Sequence, residues 1–225
     1  MKPMRDKHFA ILRHHMVDMI EIHTDLMEDE LGNATFDERV LGAMLKVPRH
    51  LFVPPPLAHV AYEDAPLPIG FHKTISQPFI TALMTDLLAP QPHETVLEVG
   101  TGLGYHAAVL AELAGRVYSV EIVEEFAGEA EARLRELGYS TVEIRVGDGS
   151  RGWADHAPYD MIVVTAAADE PPPALLRQLK PGGRMVLPVG GDEAQVLAVV
   201  RKDADGKVRV RESIAVRFTR LETVL

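Results

Sequence analysis

Three short segments of the 225-residue chain bring glycines and carboxylates to the ends of successive apolar runs. The first, Val96-Leu97-Glu98-Val99-Gly100-Thr101-Gly102-Leu103-Gly104, leaves a strand-like run and enters a helix-like one. Glycines at such a junction let the backbone turn without a Cβ clash and approach a ligand closely. Glu121 ends the next apolar run, 21 residues after Gly100, where a carboxylate can accept both ribose hydroxyls of a nucleoside. Gly147-Asp148-Gly149 follows the third run, and there Asp148, beside flexible Gly149, is expected to meet the adenine. A dinucleotide fingerprint would want a small residue at position 105, which is Tyr. The spacing of Gly100, Gly102 and Gly104, with Thr101 between them, instead suits a nucleoside with no pyrophosphate to cradle. S-adenosyl-L-methionine, with its methionine sulfonium, is the expected cofactor. Each feature also has a plainer reading: Gly102 and Gly104 as tight packing, Glu121 as a solvated helix start, Asp148 as a turn residue.

The reacting end is defined first by what it lacks. Enzymes that methylate exocyclic amines commonly carry an Asn/Asp-Pro-Pro-aromatic motif after the fourth strand. Here that place reads Thr165-Ala166-Ala167-Ala168, which disfavours an amine acceptor. No His or Lys occupies an obvious base position near these strand ends. A carboxylate acceptor needs none, because it is already ionised at neutral pH. It needs only alignment with the methyl group and removal of its water.

The elements that position these residues follow from periodicity. Residues 95–100, 117–122, 142–146, 159–167 and 184–190 read as short buried strands, with helices over 105–114, 123–137 and 172–179. Strands alternating with helices predict right-handed crossovers and an α/β, doubly wound, mostly parallel Rossmann-like sheet with helices on both faces. Segments 194–202 and 207–217 around Asp205-Gly206 predict a C-terminal antiparallel hairpin. Residues 1–34 read as an N-terminal helical extension to a domain over 35–225. In it Phe9, Leu12, Met16, Met19, His23 and Leu26 share one helix face and Gly32-Asn33 forms its C-cap. That apolar face is expected to cover the chain's own domain or to pair two copies, so monomer and homodimer both stand. Thr35 and Glu38 suggest a capping box for the next helix. Residues 48–77, rich in proline, read as a long irregular and therefore functional segment, with Pro78 opening a helix to about Leu88.

Composition excludes other classes. A net charge of -10 argues against nucleic acid as a partner, and no run reaches the ~18 apolar residues of a membrane span. The chain has no cysteine, which removes disulfide and Cys-zinc chemistry, and no metal site is expected. Charges at Arg13 and Asp18 interrupt any signal-peptide core, so a cytoplasmic location is expected.

Several motifs together resemble the protein-L-isoaspartate O-methyltransferase family. They are Val47-Pro48-Arg49-His50, Phe52-Val53-Pro54, Ala65-Pro66-Leu67-Pro68-Ile69-Gly70, Thr74-Ile75-Ser76-Gln77-Pro78 and Leu97-Glu98-Val99-Gly100-Thr101-Gly102, then Gly147-Asp148-Gly149, Gly152-Trp153, Ala157-Pro158-Tyr159-Asp160, Gln178-Leu179, Gly182-Gly183 and Pro188-Val189-Gly190. The resemblance covers about residues 36–200, and Thr74–Pro78 is its most specific piece. It implies methyl transfer from S-adenosyl-L-methionine to isoaspartyl carboxylates in damaged proteins and peptides, a repair reaction. It further implies that Ser76 is the active-site residue and that Thr74 and Ile75 line the methionine end of the cofactor. Ser76 could otherwise serve as a helix N-cap ahead of Pro78. The resemblance departs at Phe71-His72-Lys73 and at Phe218-Thr219-Arg220-Leu221, which lacks the family's proline. A divergent relative acting on another acceptor, or a non-catalytic protein that kept the cofactor fold, are the competing readings.

Overall fold

The computed structural model describes residues 4–32 and 35–224. Helices α1 (Asp6–Leu26), α2 (Glu28–Leu31) and α3 (Glu38–Lys46) open the chain. Two 3-10 turns, Arg49–Phe52 and Pro55–Val60, lead to strands β1 (Leu67–Gly70) and β2 (Lys73–Ile75), then to α4 (Pro78–Leu88). Strands and helices then alternate through β3 (Thr95–Val99), α5 (Tyr105–Ala111), β4 (Arg116–Glu121), α6 (Glu124–Glu136), β5 (Val142–Val146), β6 (Tyr159–Val164), α7 (Pro173–Gln178) and β7 (Leu179–Gly190). The C-terminal hairpin is β8 (Gln195–Lys202) and β9 (Val208–Val216).

The main sheet runs β5-β4-β3-β6-β7-β8-β9, with the first five strands parallel and β8 paired antiparallel to both β7 and β9. From β3 the chain winds outward one way to β4 and β5, then returns to the other side for β6 and β7. The carboxyl ends of β3 and β6 therefore flank a topological switch point, where connections leave in opposite directions and open a crevice. Alternate strand residues serve two cores. Val96, Val117, Met161 and Val163 pack with α1, α3, α4 and α5, while Leu97, Val99, Ile162 and Val164 pack with Leu175 of α7 and with Trp153.

The proline-rich stretch is more ordered than its composition predicts. Leu67 pairs with Ile75 and Pro68 with Thr74 across a turn at Phe71-His72, whose φ angles are 48° and 56°. Both turn residues sit in the left-handed region that Asn-Gly would normally fill, so the usual hairpin signal is missing from the sequence. The expected capping box also gives way. The N-cap of α3 is Asp37, whose Oδ1 accepts from the Arg39 backbone N–H at 2.8 Å, while its own N–H donates to Asp86 Oδ1 at 2.8 Å. A carboxylate in line with the first turn, and tied to Arg39 as well, makes the better cap. Gly32 ends α2 with φ 71°; Asn33, and with it the expected boundary near residue 34, lies outside the described residues.

Helix α1 packs within the chain's own core, through a face turned from the expected one. Phe9, Met16, Val17, Ile20 and Thr24 are buried, whereas Leu26 is 75% exposed. The Thr24 hydroxyl donates to the Ile20 carbonyl at 2.8 Å, so this polar residue is buried at little cost. Contacts from outside the helix set its rotation: Phe9 stacks on His50 with ring centroids 3.8 Å apart. The buried face predicts a sharp contrast. Ile20→Ala should lower unfolding free energy by about 2–5 kcal/mol, and Leu26→Ala should change it by no more than about 0.5 kcal/mol. Urea denaturation measures both, and equal losses would mean that this face is not buried in solution.

Candidate active site

Gly100, at the end of β3, turns at φ 93° while its N–H donates to the Val120 carbonyl at 2.9 Å. A Cβ there would lie 2.3 Å from Thr165 Oγ1, so only glycine fits. The Thr165 hydroxyl stands 2.7 Å from the Gly100 carbonyl oxygen and so joins β6 to the loop. The Gly102 N–H donates to Glu121 Oε2 at 2.7 Å, and the Val123 N–H donates to Glu121 Oε1 at 3.0 Å. Glu121, 5% exposed at the end of β4, thus carries one backbone N–H on each oxygen. A carboxylate oxygen has a second acceptor site, so both oxygens keep capacity for a ligand in the cleft.

Beneath the loop lies a second carboxyl group. Glu98, with no exposed surface in mid-β3, accepts from Ser119 Oγ at 2.5 Å, and Ser119 Oγ lies 2.5 Å from Thr101 Oγ1. Burial pushes the Glu98 pKa up to about 8; the Ser119 bond opposes that rise and the charge of Glu121 adds to it. Glu98 is therefore mostly protonated at neutral pH, and Thr101 is held over it by hydroxyl bonds.

Two clefts meet above the sheet. The first is lined by Gly100, Gly102, Val120, Glu121, Ile122, Phe126 and Gly149 on one side, and by Ile69, Lys73, Thr74 and Thr219–Glu222 on the other. The second is lined by Pro66, Ser76, Gln77, Ile80 and the chain from Ala215 to Thr219. Thr74 and Thr165 border both. An inner cavity extends the first cleft past Ile75, Ser76, Thr101 and His106. Burial pushes the His106 pKa down to about 4, and its Nε2 lies 3.0 Å from Thr85 Oγ1, so this ring is neutral and engaged. Among the described residues, no protein group hydrogen-bonds the Ser76 hydroxyl. The N-cap of α4 is Gln77, and the orphan N–H of Phe79 goes instead to Asp64 Oδ1 at 3.0 Å.

Two of the predicted cofactor residues, Gly104 and Asp148, are not among those that line the clefts. Gly104 opens α5 at φ 93° with its Cα against α6, where a Cβ would meet Ala130 and Leu134 at 3.2 Å. It serves packing and does not line the cleft. The Asp148 carboxylate is engaged locally: Oδ1 accepts from the Ser150 N–H at 2.9 Å and hydroxyl at 2.6 Å, and Oδ2 lies 3.2 Å from the Val224 N–H. It shapes the turn and holds the C-terminal tail, while its neighbour Gly149 reaches the cleft. Sequence reasoning missed Ile69, Ile122, Phe126 and Thr165 as walls and Arg49 and Asp64 as supports. Their only signal was position: Ile122 stands next to Glu121, and Arg49 lies within a recognised motif.

The outer wall is built from charges. Lys73 Nζ lies 2.5 Å from Glu222 Oε1, joining the β1–β2 hairpin to the tail across the first cleft. Arg220, at the place where the family resemblance calls for proline, pairs with Asp169 at 2.6 Å. The Leu221 N–H donates to the Ala167 carbonyl at 2.8 Å, which extends the sheet beyond β6.

The buried acid makes a prediction about pH. The folded pKa of Glu98 lies above the unfolded value, so the unfolded chain releases this proton first as pH rises. Its contribution to stability therefore declines from about pH 4.5 to about pH 8 and is constant above. Relative to Glu98→Gln, the parent should lose about 1.4 kcal/mol of unfolding free energy per pH unit across that window. Denaturant titrations of both proteins at pH 5 and pH 8 measure this, and a pH-independent difference would show Glu98 ionised in the folded state.

The chain matches the sequence profile of the protein-L-isoaspartate(D-aspartate) O-methyltransferase family over residues 21–224. It is 52% identical over 219 residues to protein-L-isoaspartate O-methyltransferase 1 of Polaromonas sp. (strain JS666), covering 97% of this chain and 93% of that one. Over 187 residues it is 54% identical to the protein-L-isoaspartate O-methyltransferase of Aeropyrum pernix, covering 81% and 72% of the two chains. A solved protein-L-isoaspartate O-methyltransferase superposes with TM-score 0.79 at 27% identity, covering 92% of this chain and 65% of that longer one. A Plasmodium falciparum chain described by the same name, solved with S-adenosyl-L-homocysteine, shares the fold with TM-score 0.77 at 21% identity. With its glycine loop, its two clefts and its sheet order all in hand, the chain belongs to the protein-L-isoaspartate O-methyltransferase family.

Proposed function

We propose that this chain transfers a methyl group from S-adenosyl-L-methionine to the free carboxylate of L-isoaspartyl residues in damaged proteins and peptides. Family membership supports the reaction and its cofactor. The observation that carries the site assignment is the unpartnered Ser76 hydroxyl where the cleft holding Glu121 meets the wider one.

The donor set suits the cofactor's parts. Glu121 offers acceptors to two ribose hydroxyls, and Gly100 and Gly102 leave the backbone bare for close approach. Val99, Ile122 and Phe126 give the apolar wall that a heterocycle needs, with Gly149 between them. Thr74, Ile75 and Thr101 border the end where the methionine portion belongs. When bound, S-adenosyl-L-methionine supplies a methyl group on a positively charged sulfur.

The chain's own residues then have little acid–base work to do. The acceptor carboxylate is ionised at neutral pH, so no base is needed, in keeping with the neutral, engaged His106. The Ser76 hydroxyl donates to one carboxylate oxygen and leaves the other free to face the methyl group. The cleft walls exclude water, which raises the reactivity of that oxygen. The product ester closes onto the neighbouring backbone nitrogen, releasing methanol. The resulting succinimide reopens in part as normal aspartate, and that step needs no residue of the enzyme.

The reaction is tested with paired peptides that differ only in isoaspartate or normal aspartate. Methyl transfer to the first alone is expected, and equal or reversed transfer would overturn the substrate assignment. Ser76→Ala should lower turnover by roughly 10- to 150-fold with cofactor affinity nearly intact, as expected for one lost hydrogen bond to a carboxylate worth about 1.5–3 kcal/mol. Turnover at the parent rate would move the reacting site elsewhere.

A further inference from the structure

Ser76 stands between the last residue of β2 and the N-cap of α4, where neither a strand ladder nor a helix fixes the backbone. Two side chains from the proline-rich segment take over that task. Arg49, with no exposed surface, donates from Nη2 to the Ser76 carbonyl at 2.7 Å and from Nε to the Ala61 carbonyl at 2.7 Å. Its guanidinium carbon lies 4.8 Å from the Tyr105 ring centroid. Asp64 accepts from the Phe79 N–H at 3.0 Å and from Gln77 Nε2 at 2.9 Å. The backbone is thus tied at Ser76 itself and at the following residues, while the Ser76 hydroxyl is left without a protein partner.

Arg49 is a costly way to fill a core. It forms no ion pair among the described residues, and its buried Nη1 has no acceptor. An unpaired buried cation destabilises unless carbonyls and aromatic faces compensate, and an apolar side chain of similar volume would pack at lower cost. What an apolar residue cannot do is reach two carbonyls 15 positions apart with one rigid fork. Asp64 is backed from the other side by α1, where His23 Nδ1 lies 2.7 Å from Asp64 Oδ2 and the His23 ring sits edge-on to Phe79.

We propose that Arg49 and Asp64 are positioning residues for Ser76, holding the backbone on either side of its hydroxyl so that acceptor alignment depends on two groups outside the reacting site. This deepens, and rests on, the assignment of Ser76 to the acceptor carboxylate.

A double-mutant cycle on the full chain tests it, with turnover of an isoaspartyl peptide and calorimetric affinity for S-adenosyl-L-homocysteine as readouts. Arg49→Lys keeps the charge but loses the fork. It should lower kcat by about tenfold while changing nucleoside affinity by less than about twofold, and it should cause no further loss in the Ser76→Ala background. A merely structural role would predict losses that multiply, because a loosened fold harms both backgrounds alike. Multiplying losses, or a fall in nucleoside affinity that matches the fall in kcat, would overturn the proposal while leaving Ser76 in place. Ser76→Ala at the parent rate would overturn the Ser76 assignment and the positioning role together. Should Arg49→Lys not fold, Asp64→Asn carries the same cycle, because its amide oxygen can still accept from Phe79 N–H.

Discussion

The carboxylate of Glu121 is the interaction on which the glycine-loop end of the main sheet depends. By accepting from Gly102 on one oxygen and Val123 on the other, it joins the glycine loop after β3 to the start of the segment before α6. The bonds from the Gly100 N–H to the Val120 carbonyl and from Arg133 Nη1 to the Leu103 carbonyl, both at 2.9 Å, reinforce the same junction. The charge of Glu121 favours both of its own bonds, because a carboxylate binds N–H donors about twice as strongly as a neutral acceptor does. Ser119 stands two residues before it on β4, between Glu98 and Thr101. The two acids divide the work by environment: Glu98, fully buried, keeps its proton and supports the loop from below, and Glu121, at the strand end, faces the cleft. Fully charged, the pair would repel across a dry strand end; neutralising the deeper one removes that cost.

The segment around Ser76 is organised on another plan. The backbone at and after Ser76 is bonded by Arg49 and Asp64 from residues 49–64, supported from behind by α1 through His23. A helix that reads as an appendage in sequence thus touches, through Asp64, the residues that directly follow Ser76. Its burial in the same core as α3 and α4 gives that support the stiffness of a packed interior, not the looseness of a surface loop.

Local rules made most of the fold legible. Alternating apolar residues and terminal glycines gave β5 its observed bounds and β3 to within a residue, because both signals lie within a few positions of one another. The β1–β2 hairpin was hidden by a turn at Phe71-His72 that lacks the usual glycine signal, and other features depended on distant residues. Gly104 was recognisable as a required glycine, but the groups that would clash with its Cβ, Ala130 and Leu134, sit on another helix. The Asp148 carboxylate accepts from nearby Ser150 and also from the distant Val224 N–H, a contact that no local pattern announces. Asp64 caps a helix that begins 14 residues later, and capping patterns are read only over three or four. The face of α1 was misplaced by about one position, because a stripe through Leu26 and one through Ile20 fit the same periodicity. Only partners such as His50 choose between them.

The departures from the family pattern fall where physics makes change cheap. Lys73 and Glu222 meet at the rim with Glu222 56% exposed, and Arg220 pairs with an Asp169 that is 79% exposed. Exposed pairs of this kind contribute at most about 1 kcal/mol, so exchanging a rigid proline for such a contact alters the mouth of the cleft at little cost to the fold. The interior admits no such exchange. A side chain at Gly100 would strike Thr165, and one at Gly149 would approach Val99 Cγ1 to 2.3 Å. The same sheet end therefore carries two regimes: a floor fixed by contact distances, and a rim of weak, exposed pairs that can change without disturbing that floor.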